Sequence, residues 1–340
     1  MTSTIGERSR LSSVETPVED ERVEWFAERF DEVASNVETV IQGKREVVEL
    51  VLSALFAEGH VLIEDVPGVG KTLLAKSIAR SIDCTFHRIQ FTPDLLPSDV
   101  TGVSVWDRQA SEFVFKPGAI FANIVVGDEI NRASPKTQSA LLEAMEERQV
   151  TSDGVTRSLE PPFMVIATQN PLEHEGTYPL PEAQLDRFMM RVVIGYPSRE
   201  KELEILDTHG VRSTFLDLDP VASLQDVQEM VDIARGINVS SSVKNYIVDL
   251  VEGTRLHPDV LLGASPRSTL FLQRISRSRA AAGGRDYVMP DDVKALAGPV
   301  LEHRLALRPE AQMRGETIDS VIEDVLARIR VPGTTSRIAT

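Results

Sequence analysis

The sequence predicts an α/β domain built on a parallel sheet and followed by an all-α domain, and three features carry that expectation. In VLIEDVPGVGKT (residues 61 to 72) an apolar run enters a turn of glycines and proline, as an inner strand of a parallel sheet does before its crossover helix. FANIVVGDEINRA (Phe121 to Ala133) is a second apolar run, ending in the paired acids Asp128 and Glu129. From residue 199 to 330 the chain reads as successive helices without long β-branched runs.

Composition sets outer limits. A length of 340 residues suggests roughly two domains, and 42% hydrophobic with 26% charged residues is enough apolar material for a sizeable core. Cys84 is the only cysteine, which excludes an intramolecular disulfide and a multi-cysteine metal site and fits a reducing cytoplasm. It reads as a small buried apolar residue. No apolar run approaches the length of a membrane span, and the N-terminus lacks the apolar core of a signal peptide. The expectation is a cytoplasmic protein without direct membrane insertion. A formal net charge of -16 opposes general attraction to phosphate backbones, so nucleic acid is not expected as a partner.

In chain order, residues 1–21 are too poor in apolar side chains to fold alone and read as a disordered tail. Phe26, Phe30, Val33, Val37 and Val40 then recur at helical spacing. Gln42-Gly43 interrupts that helix; the dipeptide is either an ordinary helix-ending turn or a turn lying beside a bound base. A second helix runs from about Arg45 to Ala57 and leads into the first strand.

Pro67, Gly68 and Gly70 make a tight turn with little side-chain bulk, so backbone N–H groups can face inward. The helix starting near Lys71 leaves its first amides unpaired and carries partial positive charge there, which suits a phosphate. Lys71 would reach the β- and γ-phosphates and Thr72 would ligate Mg²⁺. The general pattern GxxxxGK[ST] asks for glycine where this chain has Asp65, and the short string alone reads equally as a glycine turn capped by a solvated lysine.

Residues 84 to 92 have strand character, and 93 to 120 form an insertion that is either a hairpin around Asp107 to Ser111 or a plain surface loop. Asp128 and Glu129 close the next strand; alone they would be a solvated loop start, but beside a phosphate loop Asp128 can hold the metal shell and Glu129 can polarise water. A helix over 135 to 148 and a hairpin around Asp153-Gly154 follow. PFMVIATQNP is another strand, whose Asn170 is either a turn former before Pro171 or an amide for an attacking water or γ-phosphate. His174 and Glu175 make a poor metal site. Arg187, at the junction of a short helix and the last strand, is either a salt-bridged surface arginine or a group reaching a neighbouring subunit's γ-phosphate. In SPRS, proline in a helix's first turn sets Arg267 where it could close over the nucleotide, or simply be solvated.

EDVPGVGKT, VVGDEINRASPKTQSALLEAMEERQVT, IATQNP, YPLPEAQLDRF and GASPRSTLFL, in this order, closely resemble the MoxR family of AAA+ ATPases, whose members commonly have Asp at the position of Asp65. The resemblance covers roughly residues 35 to 325. It implies a P-loop AAA+ fold: a five-stranded parallel sheet between helices over 22–198 with hairpin inserts, an all-α lid domain over 199–330 and a flexible tail over 331–340. It implies ATP and Mg²⁺ bound at Gln42, Gly43, Pro67, Gly68, Val69, Gly70, Lys71, Thr72 and Leu73, with Thr72 and Asp128 at the metal. Glu129 would complete the Walker B pair, Asn170 would be sensor 1, Arg187 the arginine finger and Arg267 the sensor 2 arginine. The hairpins match the helix-2-insert clade. Gly127 stands where many members have alanine. By the same resemblance the protein is a homo-oligomer, a hexameric ring, that remodels or activates client proteins, with metal-cofactor insertion and a von Willebrand factor A domain partner among the family's associations. The alternative from the same clade is a nucleic-acid-dependent motor or regulator, which the acidity and the absence of a recognisable DNA-binding module oppose.

Overall fold

The computed structural model describes residues 18–171, 176–209 and 214–333. Helices α1 (Asp20–Glu38) and α2 (Arg45–Phe56) precede strand β1 (Val61–Glu64), helix α3 (Lys71–Ser81) and strand β2 (Phe86–Gln90). A short helix α4 (Pro97–Thr101) leads into the hairpin β3 (Gly102–Asp107) and β4 (Glu112–Pro117), then β5 (Ile124–Asp128) and α5 (Pro135–Glu147). A second hairpin, β6 (Gln149–Ser152) and β7 (Val155–Ser158), is followed by β8 (Met164–Gln169), α6 (Glu182–Leu185) and β9 (Met190–Val192). The remainder holds α7 (Arg199–His209), α8 (Leu224–Gly236), α9 (Ser241–Leu256), β10 (Val260–Leu262), α10 (Pro266–Ala282), α11 (Pro290–Leu301), β11 (Ala306–Leu307), α12 (Pro309–Met313) and α13 (Ile318–Arg328).

Five strands make one sheet in the order β2-β5-β8-β1-β9, every pair parallel. Alternate residues feed two cores, as the period of two requires. Val61, Ile63, Ile124, Val126, Met164 and Ile166 pack with α1, α2, α3 and the C-terminal helices, whereas Leu62, Val125, Val165 and Ala167 pack with Leu141, Leu142 and Met145 of α5. Each fully buried side chain of this size stabilises the fold by about 1.5–3 kcal/mol. The helical lid shares the first of these cores: Leu272 and Ile275 of α10 and Leu296 of α11 belong to it.

Two features depart from the expectation. The lid is not purely helical, because β10 and β11 pair antiparallel with Val260 opposite Leu307. The two connections run side by side there, and pairing satisfies backbone groups around two buried apolar residues. The insertion after β2 begins with α4, where Pro97 stands in the first turn and Asp99 Oδ2 accepts the Leu96 N–H at 2.9 Å. Beyond it the chain forms the hairpin, with Trp106 and Phe113 edge to face across it. At the second hairpin Asp153 and Gly154 both take positive φ, 54° and 76°, as a tight two-residue turn demands.

Because the strands are parallel, the sheet has two unlike edges. Their carboxyl ends meet at one, beyond Glu64, Asp128 and Gln169; their amino ends lie at the other, where His60 enters β1.

Candidate active site

At the carboxyl edge the loop from Asp65 to Gly70 turns directly into α3. Gly68 (φ 87°) and Gly70 (φ 93°) take left-handed conformations that side chains rarely adopt, and a Cβ built at Gly68 meets nothing within 4 Å. The loop therefore faces open space with its backbone, the requirement for cradling phosphate. Asp65 has its own task. Its Oδ1 accepts the Val66 N–H at 2.7 Å, and its Oδ2 accepts those of Ile194 and Gly195 at 2.8 and 2.6 Å, tying the start of the loop to the chain after β9.

Lys71 Nζ donates to the Asp65 and Val66 carbonyls at 2.5 and 3.0 Å, folding back over the loop. Burial draws its ammonium below the ordinary lysine value, against the opposing pull of Asp65, Asp128 and Glu129. Thr72 Oγ1 donates to Asp128 Oδ2 at 3.0 Å, and Thr168 Oγ1 donates to Asp128 Oδ1 at 3.1 Å. Thr168 also accepts the Glu129 N–H at 3.1 Å, holding Glu129 in a left-handed backbone conformation, φ 58°. Asn170 is buried just past β8 at the same edge.

Three further groups at this edge were not anticipated from the sequence. Arg88 Nε pairs with Asp128 Oδ2 at 2.5 Å, Gln90 Nε2 donates to Glu129 Oε2 at 3.0 Å, and Arg132 Nε lies 3.4 Å from the same oxygen. Arg88 and Gln90 are two apart on β2, beside β5, and their i, i+2 spacing is the signal that could have found them.

Thr72 and Asp128 fit a magnesium ion: a hydroxyl and a carboxylate converge at the mouth of a phosphate cradle, and Mg²⁺ is commonly held by one or two carboxylates and the substrate's own phosphates. Among the described residues no group of three or more His, Cys, Asp and Glu could hold a metal by itself. His174 and Glu175 lie outside the described residues. Beside the loop runs a groove of about 340 Å³ lined by Gln42, Gly68, Val69, Gly70, Leu73 and the apolar Ile41 and Ile205, suited to a base. Gly43 takes φ 71° next to Gln42, and Pro67 leads into the loop from the other side. Cys84 is half-buried, its thiol pushed up to about 12 by that burial.

Arg187 and Arg267 are elsewhere. Both pair with one carboxylate, that of Glu146 near the end of α5: Arg187 Nε lies 3.1 Å from Oε2, and Arg267 Nη2 pairs with Oε1. That end of α5 belongs to the amino edge of the sheet, since the carbonyl of Met145 meets the ring of His60 at 3.0 Å and His60 opens β1. The structure thus brings Arg267 to Arg187, at the edge of the sheet opposite Lys71. The physical reason is the cap of α10. Ser265 donates to Asp186, at 3.0 and 2.8 Å from its two oxygens, and accepts the Arg267 N–H at 3.2 Å, so the helix starts beside Arg187. Glu58 lines the same cavity. Its burial would raise the carboxyl, but hydrogen bonds from Arg148 and Arg235 hold it below the ordinary glutamate value.

Comparison with known proteins bears on the family and the fold. The family model described as ATPase family associated with various cellular activities (AAA) matches residues 60–190, and the AAA lid domain matches 252–325. The chain is 43% identical over 305 residues to chaperone MoxR1 of Mycobacterium tuberculosis, covering 87% of this chain and 80% of that one. It is 50% identical over 297 residues to YeaC of Bacillus subtilis, 87% and 93% of the two chains, and 29% identical over 337 residues to protein MoxR of Methylorubrum extorquens, 90% and 95%. A crystal structure of a candidate ATPase from Cytophaga hutchinsonii superposes with a TM-score of 0.86 at 38% identity, over 92% of this chain and 97% of that one. With the parallel sheet, the phosphate loop and the helical lid in place, this chain belongs to the MoxR family of AAA+ ATPases, enzymes that bind and hydrolyse nucleotide.

Proposed function

We propose that the protein hydrolyses ATP with Mg²⁺ in a ring of identical subunits, the site being completed between chains, and that hydrolysis drives chaperone-like remodelling of partner proteins in the cytoplasm. One observation carries the reading: the cations suited to transition-state charge, Arg187 and Arg267, share Glu146 at the sheet edge opposite Lys71, Thr72 and Asp128. Phosphoryl transfer depends on positioning and charge neutralisation more than on covalent chemistry. A chain that offers the phosphate cradle at one edge and the guanidiniums at the other brings them together only by meeting a second copy.

Within that site the loop amides and Lys71 would hold the polyphosphate, and Thr72 and Asp128 would hold Mg²⁺, which would supply charge neutralisation to the phosphates. Glu129 takes the proton of the attacking water while the Asn170 amide orients that water, and Arg187 and Arg267 stabilise the departing charge from the next chain. Remodelling is supported by the name of the mycobacterial relative, a chaperone. A client whose maturation includes metal-cofactor insertion, working with a von Willebrand factor A domain protein, is the finer form of the proposal.

Turnover per subunit measured across a concentration series tests the assembly. An arginine acting in trans is worth about 10³–10⁵ in rate, so activity should rise steeply as rings form. Constant turnover from monomer to assembled protein would sink the proposal. Stimulation by single-stranded DNA and not by a protein substrate would favour the motor instead.

A further inference from the structure

We propose that Glu146 is the positioning residue of the half-site offered to the neighbouring copy: its single carboxylate holds Arg187 and Arg267 side by side, aimed together at the polyphosphate bound by the next chain. The inference rests on the reading that these two arginines act between subunits.

Two guanidiniums brought to one place repel each other, and long side chains at a surface ordinarily wander. Here each oxygen of one carboxylate takes one arginine, Oε2 receiving Arg187 and Oε1 receiving Arg267. The arginines come from separate parts of the chain, Arg187 from the turn after α6 and Arg267 from the first turn of α10. A lone exposed pair contributes little, but this is one anion bridging two cations from different elements. Arg187 is engaged through Nε and Arg267 through one terminal nitrogen, so among the described residues each keeps other guanidinium N–H groups for an incoming oxyanion. A carboxylate that leaves those donors in place orders the pair without consuming it.

The surroundings separate Glu146 from its neighbours' tasks. Arg148, two residues on, pairs with Glu58. The main chains of the two arginines are already tied, the Arg187 N–H donating to the Gln184 carbonyl and the Arg267 N–H to Ser265 Oγ, both at 3.2 Å, so what remains to be fixed is the direction of the side chains, and Glu146 fixes it. The arginines and Glu146 line a cavity of about 290 Å³ at this edge, room for a phosphate group.

The test uses the full chain. Glu146→Gln keeps the shape and removes the charge; at assembling concentrations it should lose about 10–100-fold in kcat, the scale of a misplaced positioning group, while its own P-loop still binds ATP as tightly as the parent. Glu146→Asp, which keeps the charge, should retain more turnover than Glu146→Gln. In mixed assemblies, Glu146→Gln subunits supply intact P-loops and Lys71→Ala subunits supply intact arginine pairs, so the mixture should exceed both parents. Wild-type turnover in Glu146→Gln would overturn the proposal. So would failure of that mixture in a preparation where Arg187→Ala with Lys71→Ala does recover, since the arginines would then act in trans without Glu146. Failure of both mixtures would instead overturn the underlying reading that the site spans two chains.

Discussion

The Arg88 guanidinium reaches the same Asp128 oxygen that accepts the Thr72 hydroxyl, from 2.5 and 3.0 Å respectively. Arg88 lies on β2, whose Gln90 stands in register with Asp128, so neighbouring strands put a cation against a residue proposed to hold Mg²⁺. The side chain is about half exposed, 49%, and a pair of that kind is worth ~0.2–1 kcal/mol. Removing the competing charge in Arg88→Ala should therefore strengthen nucleotide-dependent Mg²⁺ binding by up to roughly fivefold. Calorimetric titration of the metal into the ADP complex reads this directly; weaker binding in the variant would mean that Arg88 assists the metal site instead of competing with it.

Glu129 and Lys71 should separate chemistry from binding. Glu129→Gln preserves the size and the hydrogen bond from Gln90 but removes the basic carboxylate, so ATP affinity should hold while turnover falls by about 10²–10⁴-fold. Lys71→Ala should weaken nucleotide binding itself. Equal turnover in Glu129→Gln and the parent would dismiss the role given to that carboxylate.

Gly127 is a packing solution as well as a small residue before Asp128. A Cβ built there falls 2.9 Å from Phe91 Cε2, and Phe91 is fully buried, so its ring occupies the space a methyl would need. Gly127→Ala should destabilise the fold by about 1–3 kcal/mol, the ordinary cost of overpacking a core. Adding Phe91→Leu should recover part of that loss in a denaturant midpoint. If Gly127→Ala alone were neutral, the ring would have to move without penalty.

The strands and the phosphate loop were legible because their causes are local: an apolar run, glycines where backbone must turn left-handed, and a helix start all lie within twelve residues, 61 to 72. The lid helices were legible for the same reason of period. What escaped depends on residues far apart in the chain. The resemblance accounted for Asp65 being where the general motif has glycine, but not for its task, because its partners are backbone amides 129 and 130 residues away. Nothing in SPRS shows that Glu146, 121 residues before Arg267, and Asp186 hold that helix start and its arginine at the other edge. The β10–β11 ladder escaped because strands of three and two residues carry no readable alternation.

His60 gives the amino edge a dependence on pH. The ring is buried between β1, α5 and β8; its Nε2–H donates to the Met145 carbonyl at 3.0 Å, and Nδ1 accepts the Val165 N–H at 3.0 Å. Burial lowers its pKa to about 4, the Met145 carbonyl opposing and Arg148 and Arg274 adding to the shift. A pKa depressed below the ordinary 6.5 means that the unfolded chain takes the proton first. Stability from the neutral ring is then complete above pH ~6.5 and falls steadily as pH drops toward ~4. Between pH 7 and pH 5 this amounts to about 2 kcal/mol. His303, buried and shifted the same way, adds to the slope in parent and variant alike. His60→Gln replaces the titrating ring with a group that can still donate and accept, so its chemical-denaturation stability should change less than the parent's over that interval, whatever its stability at pH 7. Identical slopes in the two proteins would show that the ring does not stay neutral in the folded state, and that the joint between the β1 strand and the Glu146 end of α5 tolerates a charged imidazole.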